Sequence, residues 1–362
     1  MHVFCTLFDS HYFSRGLAAY QSLKKNCNNF HLYIFAFDDL SFKILQKMNL
    51  EYVTVISLHD FEDEKLLAIK STRSIAEYCW TCTPSVIKYV LDNYKVDSCT
   101  YIDSDLYFFS DPSELFNEEK NCSVMITEHR FSENYKKYEI NGIYNVQFMY
   151  FKNDLKGKNV VSWWRDRCIE WCFAKSEDGK FGDQKYLDDW TTRFKGVHVM
   201  QNTGGGVAPW NVQSYIYSLA NDELFQTEKS SENQTKVVFY HFHNFKLYKQ
   251  GLAKTIGYPL SKEIIEYAYK KYYKNLTEIE NELRVQYPEI SNKGFVSDTI
   301  DIFSIKEILS RMKKGNFSGE NLLISDKKNL KTETDCIDFI RYILRIIKKI
   351  LNKTKKLIFS KK

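Results

Sequence analysis

The chain has 362 residues, of which 44% are hydrophobic and 16% aromatic. This content excludes a disordered protein and is enough for one large domain or for a domain with a substantial appendage. The net charge of +5 is unevenly distributed, because residues 337–362 carry nine Lys or Arg against one Asp, a local net of +8. The rest of the chain is therefore about −3, which argues against a nucleic-acid partner.

The beginning of the chain and its cysteines indicate a cytoplasmic protein. The first residues form an apolar run without the basic segment and long hydrophobic core of a signal peptide. No apolar stretch reaches the length of a transmembrane helix. The nine cysteines lie mostly in apolar segments and lack the spacing of a disulfide framework or a metal site. We therefore expect reduced thiols.

Apolar, strand-like runs alternate with helix-like segments over the first 130 or so residues. This βαβ pattern predicts a mostly parallel sheet covered on both faces by helices, with ligands outside the carboxyl ends of the strands. Ser14 is a candidate N-cap, and Thr81 or Thr83 can cap a helix that starts after Pro84. The predicted strands are residues 2–7, 31–37, 52–56, 99–102, 123–127, 144–151, 197–200 and 236–241, and the predicted helices are residues 14–26, 41–48, 74–94 and 160–173 and a short one from Asp183.

Two carboxylates, Asp103 and Asp105, flank Ser104 between two apolar, aromatic runs. Side chains at positions i and i+2 of an extended segment point to the same side, so both can face one metal ion. Mg²⁺ or Mn²⁺ held by such carboxylates completes its shell with water and phosphate oxygens. An Asp-x-Asp triplet is also common in turns. The apolar surroundings favour the metal site, because burying two unpaired carboxylates there is costly without a cation.

Strands or turns over residues 197–200 and 236–241 would complete the sheet, and the later of the two leads into two histidines. His241 or His243 can supply a third metal ligand, and Lys246 can neutralise a phosphate. A purely structural histidine is the alternative for each of the two. They share a face of an extended segment, so the pattern alone does not rank them.

Two polar segments complete the candidates. Asp183 lies near a predicted helix start, where the simplest interpretation is an N-cap. Residues 204–206 are three glycines, which let a backbone approach a ligand closely. They lack the context of a Walker loop, so a flexible turn is the alternative.

Five segments within residues 1–257 together resemble bacterial glycosyltransferases of the GT-A fold, the nucleotide-diphospho-sugar transferases of surface-polysaccharide gene sets. The set is specific, although no single segment is. The resemblance implies a Rossmann-like, mixed and mostly parallel sheet flanked by helices, with a helical C-terminal extension. The segments are residues 77–84, 101–105, 144–154, 179–187 and 208–211.

The resemblance also implies roles for particular side chains. Asp103 and Asp105, with Ser104 between them, would hold Mn²⁺ or Mg²⁺ against the donor diphosphate, and His241 or His243 would complete the metal shell. Asp183 would orient a sugar. Gln147 occupies the glycine position of the Asn-x-Gly pattern that such enzymes often show. The other implied donor-site residues are Thr6, Asp9 and Tyr12 at the nucleobase, Arg73 and Lys246 at the diphosphate, and Asn145 with Gln147 near the sugar.

These features predict a metal-dependent, hexosyltransferase-like glycosyltransferase. It would move a sugar from a nucleotide-diphosphate donor to a saccharide or lipid-linked saccharide in surface polysaccharide, O-antigen or lipopolysaccharide assembly. A divalent cation and basic side chains would stabilise the charge that develops on the leaving diphosphate. An inverting enzyme would use Asp183 or Asp188 as general base, whereas the resemblance favours retention. The alternatives are a metal-dependent phosphotransfer enzyme or hydrolase that uses Asp103, and a non-catalytic membrane-bound scaffold.

The basic tail over residues 337–362 has isoleucine and leucine at helical spacing and basic residues largely elsewhere. This pattern is typical of a helix in an anionic membrane surface, where each basic residue contributes about 1 kcal/mol. An amphipathic helix packed on the domain is the alternative. We thus predict peripheral association with the inner face of the plasma membrane. The predicted domains are a transferase domain (1–257), a helical, polar extension (258–336) and the membrane-association helix (337–362).

Overall fold

The computed structural model describes residues 1–229, 231–248, 252–296, 320–325 and 330–331. The described residues form two compact units, one within Met1–His243 and Leu260–Gly294 and the other within Asn244–Pro259 and Phe295–Lys362. This division differs from the predicted boundary at residue 257, because the segment from Leu260 to Gly294 belongs to the first unit.

A seven-stranded sheet forms the centre of the first unit. In their order across the sheet, the strands are β3 (Val53–Ser57), β2 (Phe30–Ala36), β1 (His2–Phe8), β4 (Ser98–Ile102), β7 (Tyr144–Lys152), β6 (Val124–Glu128) and β8 (Val197–Val199). β1 to β4 are parallel, as are β6 and β8, whereas β7 is antiparallel to both of its neighbours. The predicted mixed, mostly parallel α/β sheet is confirmed.

Helices connect and flank these strands. The α-helices of the described residues are α1 (Phe13–Asn26), α2 (Asp39–Met48), α3 (Leu58–Phe61), α4 (Glu64–Lys70), α5 (Ile75–Asn93), α6 (Leu155–Glu170), α7 (Trp190–Arg193) and α8 (Lys270–Gln286). Segments of 3₁₀-helix cover Pro112–Asn121, Glu133–Asn141, Lys185–Leu187 and Val212–Ser214, and a π-helical segment covers Ile264–Tyr269.

Both faces of the sheet are buried. Successive side chains of a strand point to opposite faces, so neighbouring residues of β1 pack in different cores. On one face Cys5 belongs to a core cluster with Val86 of α5 and Trp164 of α6. On the other face the neighbouring Phe4 packs against Phe116, with ring centroids 6.0 Å apart. The sheet is thus a middle layer, and polar side chains beyond its strand ends form the site.

The longest helix, α5, corrects one prediction. Its N-cap is Ser74, whose hydroxyl accepts a hydrogen bond from the N–H of Glu77, while the Glu77 carboxylate accepts one from the N–H of Ser74. The helix then continues through Pro84. The hydroxyls of Thr81 and Thr83 donate to backbone carbonyls one turn earlier in the same helix, so neither residue caps a second helix. Burial of residues on both sides of the proline outweighs the local preference for a break.

Other helix boundaries also differ from the predictions. α1 begins at Phe13, so Ser14 lies inside the helix and is not its N-cap. α6 begins at Leu155, after the N-cap Asp154, and ends at Glu170. The helix predicted from Asp183 is only the 3₁₀ segment Lys185–Leu187.

The late strand predicted over residues 236–241 does not complete the main sheet. It is divided between β11 (Gln234–Lys236), which extends the hairpin of β9 (Tyr215–Ala220) and β10 (Glu223–Glu228), and β12 (Phe239–His241). β12 pairs antiparallel with β5 (Leu106–Phe108), the strand directly after the two aspartates. The prediction was wrong because the pairing of β12 with β5 joins segments far apart in the sequence, and the local pattern does not show such contacts.

The second unit contains its own sheet. In their order across it, the strands are β15 (Phe295–Val296), β13 (Lys246–Tyr248), β14 (Leu252–Ile256), β16 (Glu320–Ser325) and β17 (Leu330–Lys331). The predicted membrane-association helix over residues 337–362 lies outside the described residues.

Two features of the described residues bear on the compositional predictions. Their eight cysteines are free thiols. None of their helices has the length and hydrophobicity to cross a bilayer.

Candidate functional site

Asp103 and Asp105 lie in the turn that joins β4 to β5. The N–H of Asp103 donates to the carbonyl of Gln147 on the adjacent β7, at 3.0 Å. The N–H of Leu106 then donates to the carbonyl of Asp103, at 3.2 Å, and closes the turn around the buried Ser104. The hydroxyl of Tyr101, two residues earlier on the same face, donates to Asp103 Oδ1, at 2.9 Å. Both aspartates are thus fixed at the carboxyl edge of the parallel strands.

Strand pairing brings His241 to the same place. In the antiparallel pair of β5 and β12, His241 lies opposite Leu106, and the N–H of Phe242 donates to the carbonyl of Asp105, at 3.0 Å. His241 Nε2 is 3.1 Å from Asp105 Oδ1 and 3.8 Å from Asp103 Oδ2. In the described part of the chain, these three residues form the one group whose ligand atoms are arranged to hold a metal ion, all within 4.8 Å of one another.

His243 differs from His241 in its surroundings. It is exposed, and its ring centroid is 5.9 Å from that of His241 and 5.6 Å from that of Trp210. Of the two histidines left unranked by the sequence, His241 is the one that the structure places beside both aspartates.

The charges of this cluster are strongly coupled. Burial raises the pKa of Asp103 to about 6, against the opposing effect of His241 and with help from the charge of Asp105. Burial also acts to raise the pKa of Asp105, but the imidazolium of His241 outweighs it and lowers that pKa. The pKa of His241 is raised, because the carboxylate of Asp105 outweighs burial. A metal ion at this site would displace the proton on His241 Nε2.

The donor set matches a hard divalent cation. Two carboxylates and one imidazole are ligands that suit Mg²⁺ and Mn²⁺, and with three protein ligands the other coordination positions stay available for water and phosphate oxygens. Two half-buried acidic side chains next to each other also fit a cation, since the pair is otherwise costly.

Asp183 is the third acidic side chain of this region. It is buried, and its backbone carbonyl accepts a hydrogen bond from Trp164 Nε1 at 2.9 Å. Burial, with the charge of Asp103 as the next cause, raises its pKa to about 7. The preceding Gly182 has φ +51°, a conformation that favours glycine. This carboxyl group therefore changes its charge near neutral pH.

Asp188 has a different environment. Its Oδ1 accepts the N–H of Ile143 at 2.8 Å, and its Oδ2 pairs with Lys185 Nζ at 2.6 Å. Both carboxylate oxygens thus have structural partners, and the role of Asp188 as a base stays a prediction.

The residues predicted at the nucleobase lie on β1 and in the loop after it. Thr6 is buried, and its Oγ1 has no hydrogen-bond partner within the described structure. The Asp9 carboxylate accepts the N–H of His11 at 2.9 Å and that of Tyr12 at 3.1 Å. Tyr12 is 46% exposed, and the Arg15 guanidinium carbon is 4.9 Å from its ring centroid. Because β1 is next to β4, this segment lies at the same end of the sheet as Asp103.

The two predicted diphosphate residues lie in different surroundings. The Arg73 guanidinium stacks on Phe173, 3.9 Å from the ring centroid, and donates to the carbonyl of Ile169 at 3.2 Å. Lys246 is an exposed residue of β13 in the second unit. Arg73 is in no described contact with the metal-ligand group, and both assignments stay predictions.

The three glycines approach their own chain. A Cβ on Gly204 would be 2.0 Å from the Lys236 carbonyl oxygen, and one on Gly205 would be 2.6 Å from Met200 Sδ. Gly206 has φ +93° and lies against Gln147, whose Nε2 would be 3.1 Å from a Cβ on that glycine. The glycine segment is thus packed protein structure behind His241, and not a flexible turn.

Several side chains of the site were not singled out from the sequence. Arg15 is buried, and its charge is one of the weaker causes that lower the pKa of Asp105. His129 is buried behind Asn145, 2.9 Å from its Nδ2. Trp210 packs edge-on against His241, with ring centroids 5.2 Å apart. Strand periodicity could have identified Tyr101. Arg15, His129 and Trp210, in contrast, come to the site only when the chain is folded.

No protein-family model matches the chain. The Bacillus subtilis (strain 168) protein YfnD, which is uncharacterized, is 31% identical over 299 residues that cover 81% of this chain and 94% of YfnD. The chain belongs to the YfnD family. A second uncharacterized protein of that organism, YfnF, is 28% identical over 302 residues, or 81% of this chain and 97% of YfnF.

Among solved structures, this member of the YfnD family is similar to glycosyltransferases. The galactosyltransferase LgtC, in complex with donor and acceptor sugar analogs, has a TM-score of 0.48 at 12% identity, over 76% of this chain and 95% of LgtC. GlyE of Streptococcus pneumoniae TIGR4 has a TM-score of 0.44 at 13% identity, over 83% and 66% of the two chains. Both TM-scores are below 0.5.

Proposed function

We propose that this protein is a metal-dependent glycosyltransferase that uses a nucleotide-diphosphate sugar as donor. The observation that carries the proposal is the group of Asp103, Asp105 and His241 at the carboxyl edge of the parallel strands, with ligand atoms within 4.8 Å of one another. Ligands bind at this edge in open α/β sheets. The sequence segments that resemble GT-A glycosyltransferases support the same conclusion.

Asp103, Asp105 and His241 would hold Mn²⁺ or Mg²⁺, which supplies charge stabilisation for the diphosphate that leaves C1 of the sugar. Arg15, buried close enough to influence Asp105, would add positive charge on the protein side. Tyr12 would stack on the nucleobase, since its exposed ring lies at the same end of the sheet. Thr6 Oγ1, which has no partner within the described structure, would donate to the same ligand.

The acceptor side of the reaction is assigned to Asp183. In the transfer, the bond between C1 and the phosphate oxygen breaks, a bond between C1 and the acceptor oxygen forms, and the acceptor hydroxyl loses its proton. A buried carboxyl group with a pKa of about 7 can hold or accept a proton at neutral pH, and it can position a sugar hydroxyl. We propose retention at C1, which rests on the resemblance of the sequence segments.

The acceptor is proposed to be a saccharide or lipid-linked saccharide of surface polysaccharide assembly. This finer assignment rests on the sequence resemblance and on the basic tail, whose pattern predicts a helix at an anionic membrane surface. Full-length protein in which Lys348, Lys349 and Lys353 are changed to Glu should bind vesicles containing anionic lipid more weakly and keep its activity on a soluble acceptor. Unchanged vesicle binding would contradict the role of the tail.

The decisive experiment is a donor screen with purified full-length protein. Nucleoside diphosphate released from a panel of nucleotide sugars is measured with Mn²⁺ and with chelator, for the wild type and for Asp105→Asn. We expect release from at least one donor that requires the metal and is lost in the variant. The exposed Asp189→Asn variant, whose carboxylate pairs with Arg193, is the matched control. Release of inorganic phosphate without a sugar donor would instead identify a hydrolase.

A further inference from the structure

Gln147 touches two of the three proposed metal ligands. Its backbone carbonyl accepts the N–H of Asp103 at 3.0 Å. Its side-chain Oε1 lies 2.8 Å from His241 Nδ1, the ring nitrogen remote from the aspartates. The side chain is fully buried on β7, so this contact is made inside the protein and not at its surface.

The position of the Gln147 side chain leaves it little freedom. A Cβ on Gly206 would be 3.1 Å from Gln147 Nε2 and 2.8 Å from Thr127 Cγ2, so the glycine is what makes room for the amide. The backbone N–H of Gln147 donates to Asn145 Oδ1 at 2.7 Å. The side-chain amide of Gln147 is therefore held by packing against the glycine segment, and its backbone N–H is held by Asn145.

The chain of hydrogen bonds continues away from the aspartates. Asn145 Nδ2 is 2.9 Å from His129 Nε2, and His129 Nδ1 is 3.2 Å from the carbonyl oxygen of Ile143. The carbonyl can only accept, so His129 Nδ1 carries the proton and its Nε2 accepts from the Asn145 amide. This fixes Asn145 Oδ1 toward the N–H of Gln147. In this series of hydrogen bonds each group donates to the next one, starting at His241 and ending at the carbonyl of Ile143.

We propose that Gln147 is a positioning residue that holds a proton on His241 Nδ1, so that Nε2 is the nitrogen left for the metal. The proposal rests on the proposed function, because it concerns the same metal site. A metal-binding histidine needs its second ring nitrogen held by an acceptor, which sets both the tautomer and the ring orientation. Here the side-chain amide oxygen of Gln147 supplies that acceptor.

Two substitutions of Gln147 separate this role from simple packing. Gln147→Met keeps the length and volume of the side chain but removes the acceptor, whereas Gln147→Glu keeps an acceptor oxygen. The matched control is Gln226→Met, since Gln226 is also a buried glutamine whose Oε1 accepts a side-chain hydrogen bond, from Tyr217 at 3.2 Å, and it lies on β10.

The first measurement is Mn²⁺ binding to the full-length protein without nucleotide, followed by the electron paramagnetic resonance of free Mn²⁺. We expect the affinity of Gln147→Met to be about 10- to 100-fold weaker than that of the wild type. Gln147→Glu should bind within a few-fold of the wild type, and so should Gln226→Met. Equal affinity in Gln147→Met and the wild type would overturn the proposal, as would equal weakening in Gln147→Met and Gln147→Glu.

The second measurement needs no metal and therefore separates the two proposals. In ¹⁵N-histidine-labelled protein below the raised pKa of His241, where both ring nitrogens carry a proton, the wild type and Gln147→Glu should show a hydrogen-bonded, slowly exchanging Nδ1–H, and Gln147→Met should lose it. Wild-type protein without this signal would overturn the role of Gln147. Wild-type protein that shows the signal but binds no Mn²⁺ would overturn the proposed metal site and leave the positioning role supported.

Discussion

Removal of the buried charge of Asp183 should stabilise the metal-free protein while it impairs transfer. The change is Asp183→Asn, which keeps the shape of the side chain. Because burial raises the pKa of Asp183 from 3.8 to about 7, ionising this group costs the folded state about 4 kcal/mol at pH 8. The variant is free of that cost, so its free energy of unfolding should rise by about that amount at pH 8.

The gain should depend on pH in a defined direction. An acid whose pKa is higher in the folded protein binds more protons when folded, so wild-type stability falls as the pH rises from 3.8 to about 7. Near pH 5 the folded wild type is protonated at Asp183, and the advantage of the variant should shrink to about 2 kcal/mol or less. Denaturant unfolding with chelator at about pH 5 and about pH 8 measures both values.

The control for this experiment is Asp189→Asn, a nearby exposed carboxylate paired with Arg193. Such pairs contribute about 0–1 kcal/mol, so this variant should change stability little at either pH. If Asp183→Asn gave no stabilisation at pH 8, or the same stabilisation at both pH values, Asp183 would not have the raised pKa on which its proposed role depends.

Three further predictions concern the same unit. Ser74→Ala removes the N-cap of α5 and should lower the free energy of unfolding by about 1 kcal/mol in denaturant titrations without changing Mn²⁺ affinity; unchanged stability would contradict the capping role. The pKa of His241 is raised above 6.5 by Asp105, so Mn²⁺ affinity should fall about tenfold for each unit that the pH falls below 6.5. Mn²⁺ titrations that start at pH 6.5 and go lower measure this, and a flat profile there would exclude His241 as ligand. Gly206→Ala adds a Cβ at φ +93° against Gln147, so it should cost about 1–3 kcal/mol and weaken Mn²⁺ binding; wild-type values for both would refute the packing argument.

The two aspartates could be placed from the sequence because their arrangement is local. β4 ends immediately before Asp103, and the short turn that follows keeps Asp105 close to it. The βαβ alternation likewise determined the parallel half of the sheet, since each strand and helix has its own hydrophobic period. The predicted helix boundaries were less accurate. Ser14 and Pro84 both lie inside helices, because burial in the surrounding structure outweighs their preference for helix starts.

The third metal ligand could not be chosen in this way. His241 and His243 are equivalent on an isolated strand, and only the register of β12 against β5 places His241 opposite Leu106 and beside Asp105. The strand itself had been assigned to the wrong sheet, because its partner is remote in sequence.

The sequence by itself thus determined the parallel half of the sheet, the pair of carboxylates at its edge and the kind of cation they suit, since these follow from short-range periodicity and side-chain chemistry. Only the tertiary structure decided which histidine joins them, that Asp183 is buried enough for its pKa to reach about 7, and that Gln147 lies behind His241. Those three properties depend on burial and on contacts between segments far apart in the chain, and no local pattern contains that information.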